Sequence, residues 1–254
     1  MIQGIYLSTH GANVQSVRQD VIANNLANAS TTGFKRDVAT FQVFKPEELR
    51  KNIPVRMDGD RQKEVGALGV DRISTDYTSG ALQKTDQPYD IGFSGDGFLR
   101  VSDGQNDYLT RNGQLHRNID GELVTLDQGL NVLDTTGKPI EIPQIATSID
   151  ISVDGKVSAV LADSSRIPLG QMDLVSTQTD QLRKIGDSLF ETQADLSPAG
   201  RNLQVKQGFI EASGVNPILE MTAMIETSRA FEANINMIRI QDESLGRLLQ
   251  TVGG

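Results

Sequence analysis

The sequence predicts an α+β protein. Helices at the two ends pair as a coiled-coil core domain, and an extended connector leads to a β-rich middle domain. Three observations predict this. Apolar residues recur in alternating steps of three and four from Met221 to Val252. A weaker ladder of the same kind runs from Ile2 to Leu26. Between them, Asp-Gly and Asn-Gly pairs recur every seven to nine residues from Asp96 to Gly121.

The C-terminal helix has the clearest signal. Asn216 is a good N-cap, and Pro217 suits the first helical position. The ladder reads Met221, Met224, Ser228, Phe231, Ile235, Ile238, Asp242, Leu245, Leu249, Val252, and eight of these ten positions are apolar. A stripe held for more than four heptads is the signature of a coiled coil. About 36 residues at 1.5 Å each make a rod of roughly 54 Å. Such a helix needs a partner, and the N-terminal segment is the expected one. Its ladder reads Ile2, Ile5, Thr9, Ala12, Ser16, Gln19, Ala23, Leu26, with five of eight positions apolar. Val14, Val17, Val21 and Ile22 lie on neighbouring strips, so the apolar surface is wide and shallow. One side suits the C-terminal helix and the other suits another subunit. Alone, this helix is marginal in water.

The N-terminal ladder ends in "VIANNLANASTTGFKR", residues 21 to 36. Asn, Ser and Thr side chains compete with the helical backbone for hydrogen bonds. Asn28, Ser30, Thr31 and Thr32 therefore stop the helix. Gly33 supplies a positive φ for a sharp turn, and Phe34 is expected to pack back against the helix end. Asn28, Thr32, Gly33 and Phe34 thus form a corner that leads out of the helical layer.

The middle has another period. Residues 37 to 85 mix short extended pieces with charge and predict a connector with little core. From Tyr89 onward, Asp96-Gly97, Asp103-Gly104, Asn112-Gly113 and Asp120-Gly121 read as hairpin tips. "YLTRNGQLHRN", "GELVTLD" and "IDISVDGKVSAVLA" alternate in the β manner, the last with Asp154-Gly155 at a tip. Pro139, Pro143 and Pro168 mark strand edges or loops. "ETQADLSPAGRN" reads as a loop, and "LQVKQGFIEAS" returns the chain to the helical end. The expected divisions are 1–36 for the first helix and corner, 37–85 for the connector, 86–205 for the β domain and 206–254 for the second helical part.

Composition narrows the function. The 254 residues are 37% hydrophobic and 5% aromatic, low for one compact core of that length. A net charge of −9 argues against nucleic acid and anionic lipid as partners. The chain has no cysteine, so disulfides and thiolate metal sites are excluded. No stretch approaches the ~18 apolar residues of a membrane span. The opening "MIQGIYLSTHGANVQ" lacks a basic region and a following apolar run, so no cleaved secretory signal is expected.

No catalytic constellation stands out. His10 and His116 have no partners at metal-ligand spacing. "GFSGDGF" has Asp96 where a nucleophile elbow needs glycine. It also does not complete a dinucleotide-binding glycine pattern. None of the Asp-Gly pairs opens a calcium loop with its terminal Glu. No enzyme activity, metal, cofactor or small-molecule substrate is expected.

Several motifs together resemble a known family. "QDVIANNLANASTTGFKR" near the N-terminus is similar to the "LDVIANNLANxNTTGFKR" hallmark of the bacterial flagellar basal-body rod and hook proteins. "EMTAMIETSRAFEANINMI", residues 220 to 238, resembles that family's C-terminal helix, "E-M-x-x-M-I-E-x-x-R-A-Y/F-E". "GDGFLRV" and "YLTRNGQLHRNIDGELVTLDQG" look like its hairpins. The departures are modest: Gln19 stands for a Leu, Ser30 for an Asn, and Gly214 and Pro217 alter the entry to the last helix. Gln19 leaves the inner seam of the N-terminal helix open.

The resemblance implies a structural subunit, exported unfolded through the flagellar type III channel without a cleaved signal. It implies helical polymerisation into a tubular rod across the periplasm. The partners implied are further copies, other rod and hook axial proteins and the export apparatus. Length and spacing look like the proximal or distal rod type rather than the longer hook protein. The short connector and "SRAFEANINMI" favour the proximal type. The subunit-packing residues would be Ile5, Ala12, Val21, Ile22 and Leu26 of the first helix. In the second they would be Met221, Met224, Phe231, Ile235, Ile238, Leu245 and Leu249. The competing class is a monomeric secreted binding module. A pocket of convergent polar groups in the β domain would favour that module, and a wide exposed apolar stripe on the helices would favour the filament.

Overall fold

A computed structural model describes residues 2–44, 67–186, 188–200 and 202–252. The charged stretch 45–66 of the expected connector lies outside the described residues, as do the side chains of Ile2 and Val252 in the two ladders. The protein is α+β, with a helix at each end of a strand-rich middle. It divides into two units.

The first unit contains helix α1 (Ile2–Ala27), strands β1 (Arg36–Phe44) and β2 (Ala67–Asp76), and helix α2 (Pro217–Val252). Helix α2 starts where the sequence places its cap. Asn216 Oδ1 accepts from the amides of Ile218 and Leu219 at 3.1 and 3.4 Å, satisfying two of the orphan donors of a first turn. Strands β1 and β2 pair as a two-stranded ribbon, so part of the expected connector is regular structure. Both α2 and β2 pack on α1. Asn25, at the end of α1, is 1% exposed. Its amide donates to Asp37 O at 2.8 Å and accepts from Asp37 N at 2.9 Å. It thus offers the first part of β1 the pair of hydrogen bonds that a neighbouring strand would supply.

The second unit holds the remaining strands. In chain order these are β3 (Leu82–Lys84), β4 (Ile91–Ser94), β5 (Phe98–Ser102), β6 (Asp107–Thr110), β7 (Leu115–Arg117), β8 (Leu123–Thr125), β9 (Asn131–Val132), β10 (Ser148–Ile151) and β11 (Lys156–Val160). They continue with β12 (Arg166–Gln171), β13 (Leu174–Ser176), β14 (Leu182–Gly186), β15 (Leu189–Thr192), β16 (Ser197–Pro198), β17 (Gln204–Gln207) and β18 (Phe209–Glu211). The main sheet runs β14-β15-β6-β5-β9-β8-β7, with β13 on β5 and β16 on β13. Its strands pair antiparallel. One edge of β5 is shared. Phe98 and Leu99 face β13, while Val101 and Ser102 face β9. Between them Arg100 bridges Asp107 and Asp173 through its guanidinium.

A second sheet, β10-β11-β12, places Pro168 on an edge strand, where a missing N–H costs no ladder bond. Smaller pairs join β17 to β4 and β18 to β3. The core gathers Ile91, Phe93, Leu99, Val101, Leu123, Val132, Ile140 and Val157, all at most 1% exposed. A smaller aromatic cluster sets Tyr77, Phe98 and Phe190 with ring centroids 5.4 to 6.2 Å apart.

The turn dipeptides divide into two groups. Asp103-Gly104, Asp120-Gly121 and Asp154-Gly155 sit at the tips of the hairpins β5–β6, β7–β8 and β10–β11. Asp96-Gly97 and Asn112-Gly113 do not form hairpin tips. β4 pairs with β17 rather than β5, and β6 pairs with β5 and β15 rather than β7. At Gly113 the glycine allows close approach, since a Cβ there would overlap Ile91 O.

The Asp103 tip carries a pH signature. The amides of Asn106 and Gln105 donate to Asp103 Oδ1 at 2.6 and 2.8 Å and hold its carboxyl below the ordinary value. A depressed folded value stabilises the turn above the unfolded value of ~3.9. That contribution is lost as pH falls through the folded value. Carboxyl NMR titration should therefore place Asp103 below the ordinary aspartate value of ~3.9, and a value at or above it would contradict the turn's hold on the carboxylate.

Candidate functional site

Two arrangements stand out: a buried clasp around the corner, and the two faces of the terminal helix pair. The clasp lies within the β unit, which includes residues Asn28–Arg36. The sequence grouped this corner with the helical domain and set Phe34 against the helix end. In the structure the corner's backbone is claimed by β-unit partners. Gly33 N donates to Glu211 O at 2.8 Å, Gly214 N to Phe34 O at 2.9 Å, and Ser188 Oγ to Thr32 O at 3.1 Å. Lys184 Nζ donates to Lys35 O at 2.8 Å and stands 3.5 Å above the Phe34 ring. Asn28 is tied in by Ser213 Oγ, which donates to its carbonyl at 2.9 Å. Residues 206–215 belong to the same unit, because β17 and β18 are paired to β4 and β3 before the chain reaches α2.

At the centre of the clasp is a group of charges that sequence reasoning missed. Glu211 accepts from Lys35 Nζ at 2.6 Å and from Arg111 Nη1 at 3.1 Å, with all three side chains at most 2% exposed. Gly80 N donates to Glu211 Oε1 at 2.8 Å. Lys35 also reaches Thr78 O, and Arg111 reaches Gly95 O and Ser79 Oγ. Buried charges persist only when paired and hydrogen-bonded, and here each cation has the carboxylate plus neutral acceptors. The residues come from positions 35, 111 and 211, so no local spacing announces them.

Gly33 adds a steric lock. Its φ is +68°, and a Cβ there would overlap the backbone of Arg111. Thr32 is buried, and its hydroxyl donates to Gln114 Oε1 at 2.9 Å.

The helix pair differs from the predicted seam. On α2, Met224, Phe231, Ile238 and Leu245 are half-buried, whereas Met221, Ile235 and Leu249 are exposed. The second row turned inward is Glu220, Thr227, Asn234 and Gln241. The ladder assumed apolar residues on both inner rows. Two members of that row face glycines of α1: Asn234 stands against Gly11 and Gln241 against Gly4. On α1, Ala12, Val21 and Ile22 are buried and Ile5 and Leu26 half-buried, while the ladder position Ala23 is exposed. Strand β2 of the same chain takes part of the surface expected for another subunit.

Several large apolar side chains of α2 remain uncovered. Ile218, Met221 and Ile225 form one row near its start, 71%, 47% and 55% exposed. Met237, Ile240 and Leu248 form another, also exposed. Groups of large exposed apolar side chains mark interaction sites.

The β unit's open clefts are polar. One is lined by Ser176, Thr177, Gln178, Gln181, Gln193 and Asp195. Among the described residues, no three His, Cys, Asp or Glu side chains are grouped to hold a metal ion. No described helix is long and apolar enough to cross a membrane.

Three family models match: "Flagella basal body rod protein" over residues 5–35, "Flagellar hook protein FlgE/F/G D1 domain" over 93–159, and "Flagellar basal body rod FlgEFG protein C-terminal" over 206–251. The first and last cover α1 with the corner and α2 with its approach. The chain is 34% identical to the flagellar basal-body rod protein FlgG of Buchnera aphidicola (from Acyrthosiphon pisum), covering 98% of this chain and 100% of that one. It is 33% identical to FlgG of Bacillus subtilis over 98% of each chain. Identity to the rod protein FlgF of Caulobacter vibrioides is 35%, over 86% of this chain and 85% of that one. With helices at both ends, a β middle and relatives matched along nearly its whole length, the chain belongs to the flagellar basal-body rod protein family.

Proposed function

We propose that this chain is an axial subunit of the flagellar rod in the periplasm, polymerising helically with copies of itself and joining other rod and hook axial proteins. Its terminal helices act as a coiled-coil core domain. It is exported through the flagellar type III channel without a cleaved signal. The observation that carries the reading is the pair of uncovered apolar rows on α2. Each fully buried Ile, Leu or Met contributes roughly 1.5–3 kcal/mol. A subunit touching several neighbours at once multiplies weak contacts, and a head-to-tail contact that does not close builds a helical filament.

The proximal-rod type is favoured by the short connector and the "SRAFEANINMI" stretch of α2. The distal-rod type is the second reading: relatives named FlgG match at 34% and 33% identity over 98% of the chain, and relatives named FlgF match at 32% and 31% over the same share.

The test is Ile225→Asp. On the free chain the new charge faces water, so the melting temperature stays within about 2 °C of wild type. Between subunits it becomes a buried unpaired charge costing several kcal/mol. The variant is expected to be made and exported yet missing from purified rods. Glu226→Gln, one position along on the exposed side, is incorporated normally. Equal incorporation of Ile225→Asp would remove α2 from the assembly surface.

A further inference from the structure

The polar inner row of α2 has its own logic. A Cβ built on Gly4 would lie 2.8 Å from Gln241 Nε2, and one built on Gly11 would lie 2.8 Å from Asn234 Oδ1. Glycine inside a helix costs roughly 0.8–1.0 kcal/mol relative to alanine. Neither glycine needs a positive φ, so the absent side chain is explained by the space that Gln241 and Asn234 occupy. Seven residues separate the two glycines, and seven separate Asn234 from Gln241 in the opposite sense. Both contacts therefore belong to one antiparallel register. Further seven-residue steps set Thr227 across from Arg18 and Glu220 across from Asn25. Asn25, Thr227 and Glu220 are all buried polar side chains.

We infer that Gly4 and Gly11 are sockets, and Gln241 and Asn234 the knobs, of positioning pairs that fix the register of α1 against α2. The apolar row does this poorly. Met224, Phe231, Ile238 and Leu245 repeat every seven residues, and apolar contact is non-directional. Sliding α2 by one heptad, about 10 Å, puts each of these side chains in the place of the next. The sockets discriminate by size. Slid one way, Leu248 meets Gly4 and Asn234 meets Arg18. Slid the other way, Thr227 leaves the Gly11 socket part-filled and Gln241 runs past the start of α1. A polar or size-matched position that sets register within a repeating apolar seam is a known use of such residues. The consequence for assembly rests on the rod reading: register decides where the two uncovered rows of α2 stand relative to the exposed Tyr6 and Leu7 of α1.

The test uses the purified full-length chain, whose own sequence contains no cysteine. Gly11→Cys with Asn234→Cys brings two β-carbons close to the ~3.5–4.5 Å span of a disulfide. Gly4→Cys with Asn234→Cys reports the register one heptad away. Under copper–phenanthroline oxidation the first pair should cross-link within the chain at least about ten-fold faster than the second. Adding Gly4→Leu to the first pair overfills the remaining socket, since a branched side chain there meets more of Gln241 than its mobile end, and should slow cross-linking several-fold. Adding Gln241→Ala as well should restore the rate, which a general loss of structure would not allow. Far-ultraviolet circular dichroism at the wild-type helix content confirms that the helix pair of each variant is folded. Equal rates for the two pairs, cross-linking of neither, or indifference to Gly4→Leu overturns the inference. None of these readouts depends on rod formation, so failure here is distinct from failure of the rod reading.

Discussion

Glu211→Ala should destabilise the β unit by about 3–5 kcal/mol and lower its melting temperature by on the order of 10 °C. The carboxylate stands between Lys35 and Arg111, both at most 2% exposed. Without it, two like charges remain in a site closed to water, and Gly80 N loses its acceptor. A comparable deletion at the surface, Glu191→Ala, breaks the exposed pair with Arg183 and should cost at most about 1 kcal/mol. Thermal unfolding of the two variants by circular dichroism separates them. Similar melting temperatures would mean that the clasp contributes no more than a surface pair.

Gly33→Ala should be nearly as damaging, and Gly33→Val worse. Two faults arise at the same atom. The backbone is held at φ +68°, where a side chain costs roughly 1–2 kcal/mol. The new Cβ also runs into the Arg111 carbonyl and Asn112 N, which are backbone atoms with little freedom to give way. Gly129 isolates the second fault. Its φ is +67°, and a Cβ there meets nothing within 4 Å. Gly129→Ala should therefore show the strain alone, about 1–2 kcal/mol, and Gly33→Ala clearly more. Equal losses in chemical denaturation would show that the corner can relax away from Arg111. Because the corner supplies hydrogen bonds to Glu211, Gly214 and Ser188 partners, disturbing it should also block rod incorporation.

The helix at the C-terminal end was legible because its signals are local. Asn216 and Pro217 mark its start, and a repeating apolar pattern carries it to its end. Hairpin tips at Asp103, Asp120 and Asp154 were legible for the same reason. The dipeptides at Asp96 and Asn112 misled because the same pair also serves a change of sheet, from β4 to β5, and a passage across one sheet, from β6 to β7. Only long-range pairing, β4 with β17 and β6 with β15, distinguishes the two cases.

The inner face of α2 was half legible. A search for apolar residues finds Met224, Phe231, Ile238 and Leu245. It passes over Asn234 and Gln241, whose places are set by glycines more than 220 positions away in the chain. Gly4 and Gly11 were the missed signal: two glycines one heptad apart inside a helix are costly unless something fills the space. The clasp had no such signal, since Lys35, Arg111 and Glu211 meet only in the folded β unit.

The central claim is that the apolar rows left uncovered on α2 are where rod subunits meet. Cryo-electron microscopy of purified basal bodies, with this chain traced along the axis, tests it most directly. The account predicts Ile218, Met221 and Ile225, and Met237, Ile240 and Leu248, buried against neighbouring axial subunits at the core of the rod. The same map separates the proximal from the distal position. A chain placed in the rod with both rows facing solvent, or one absent from the axial stack, would contradict it.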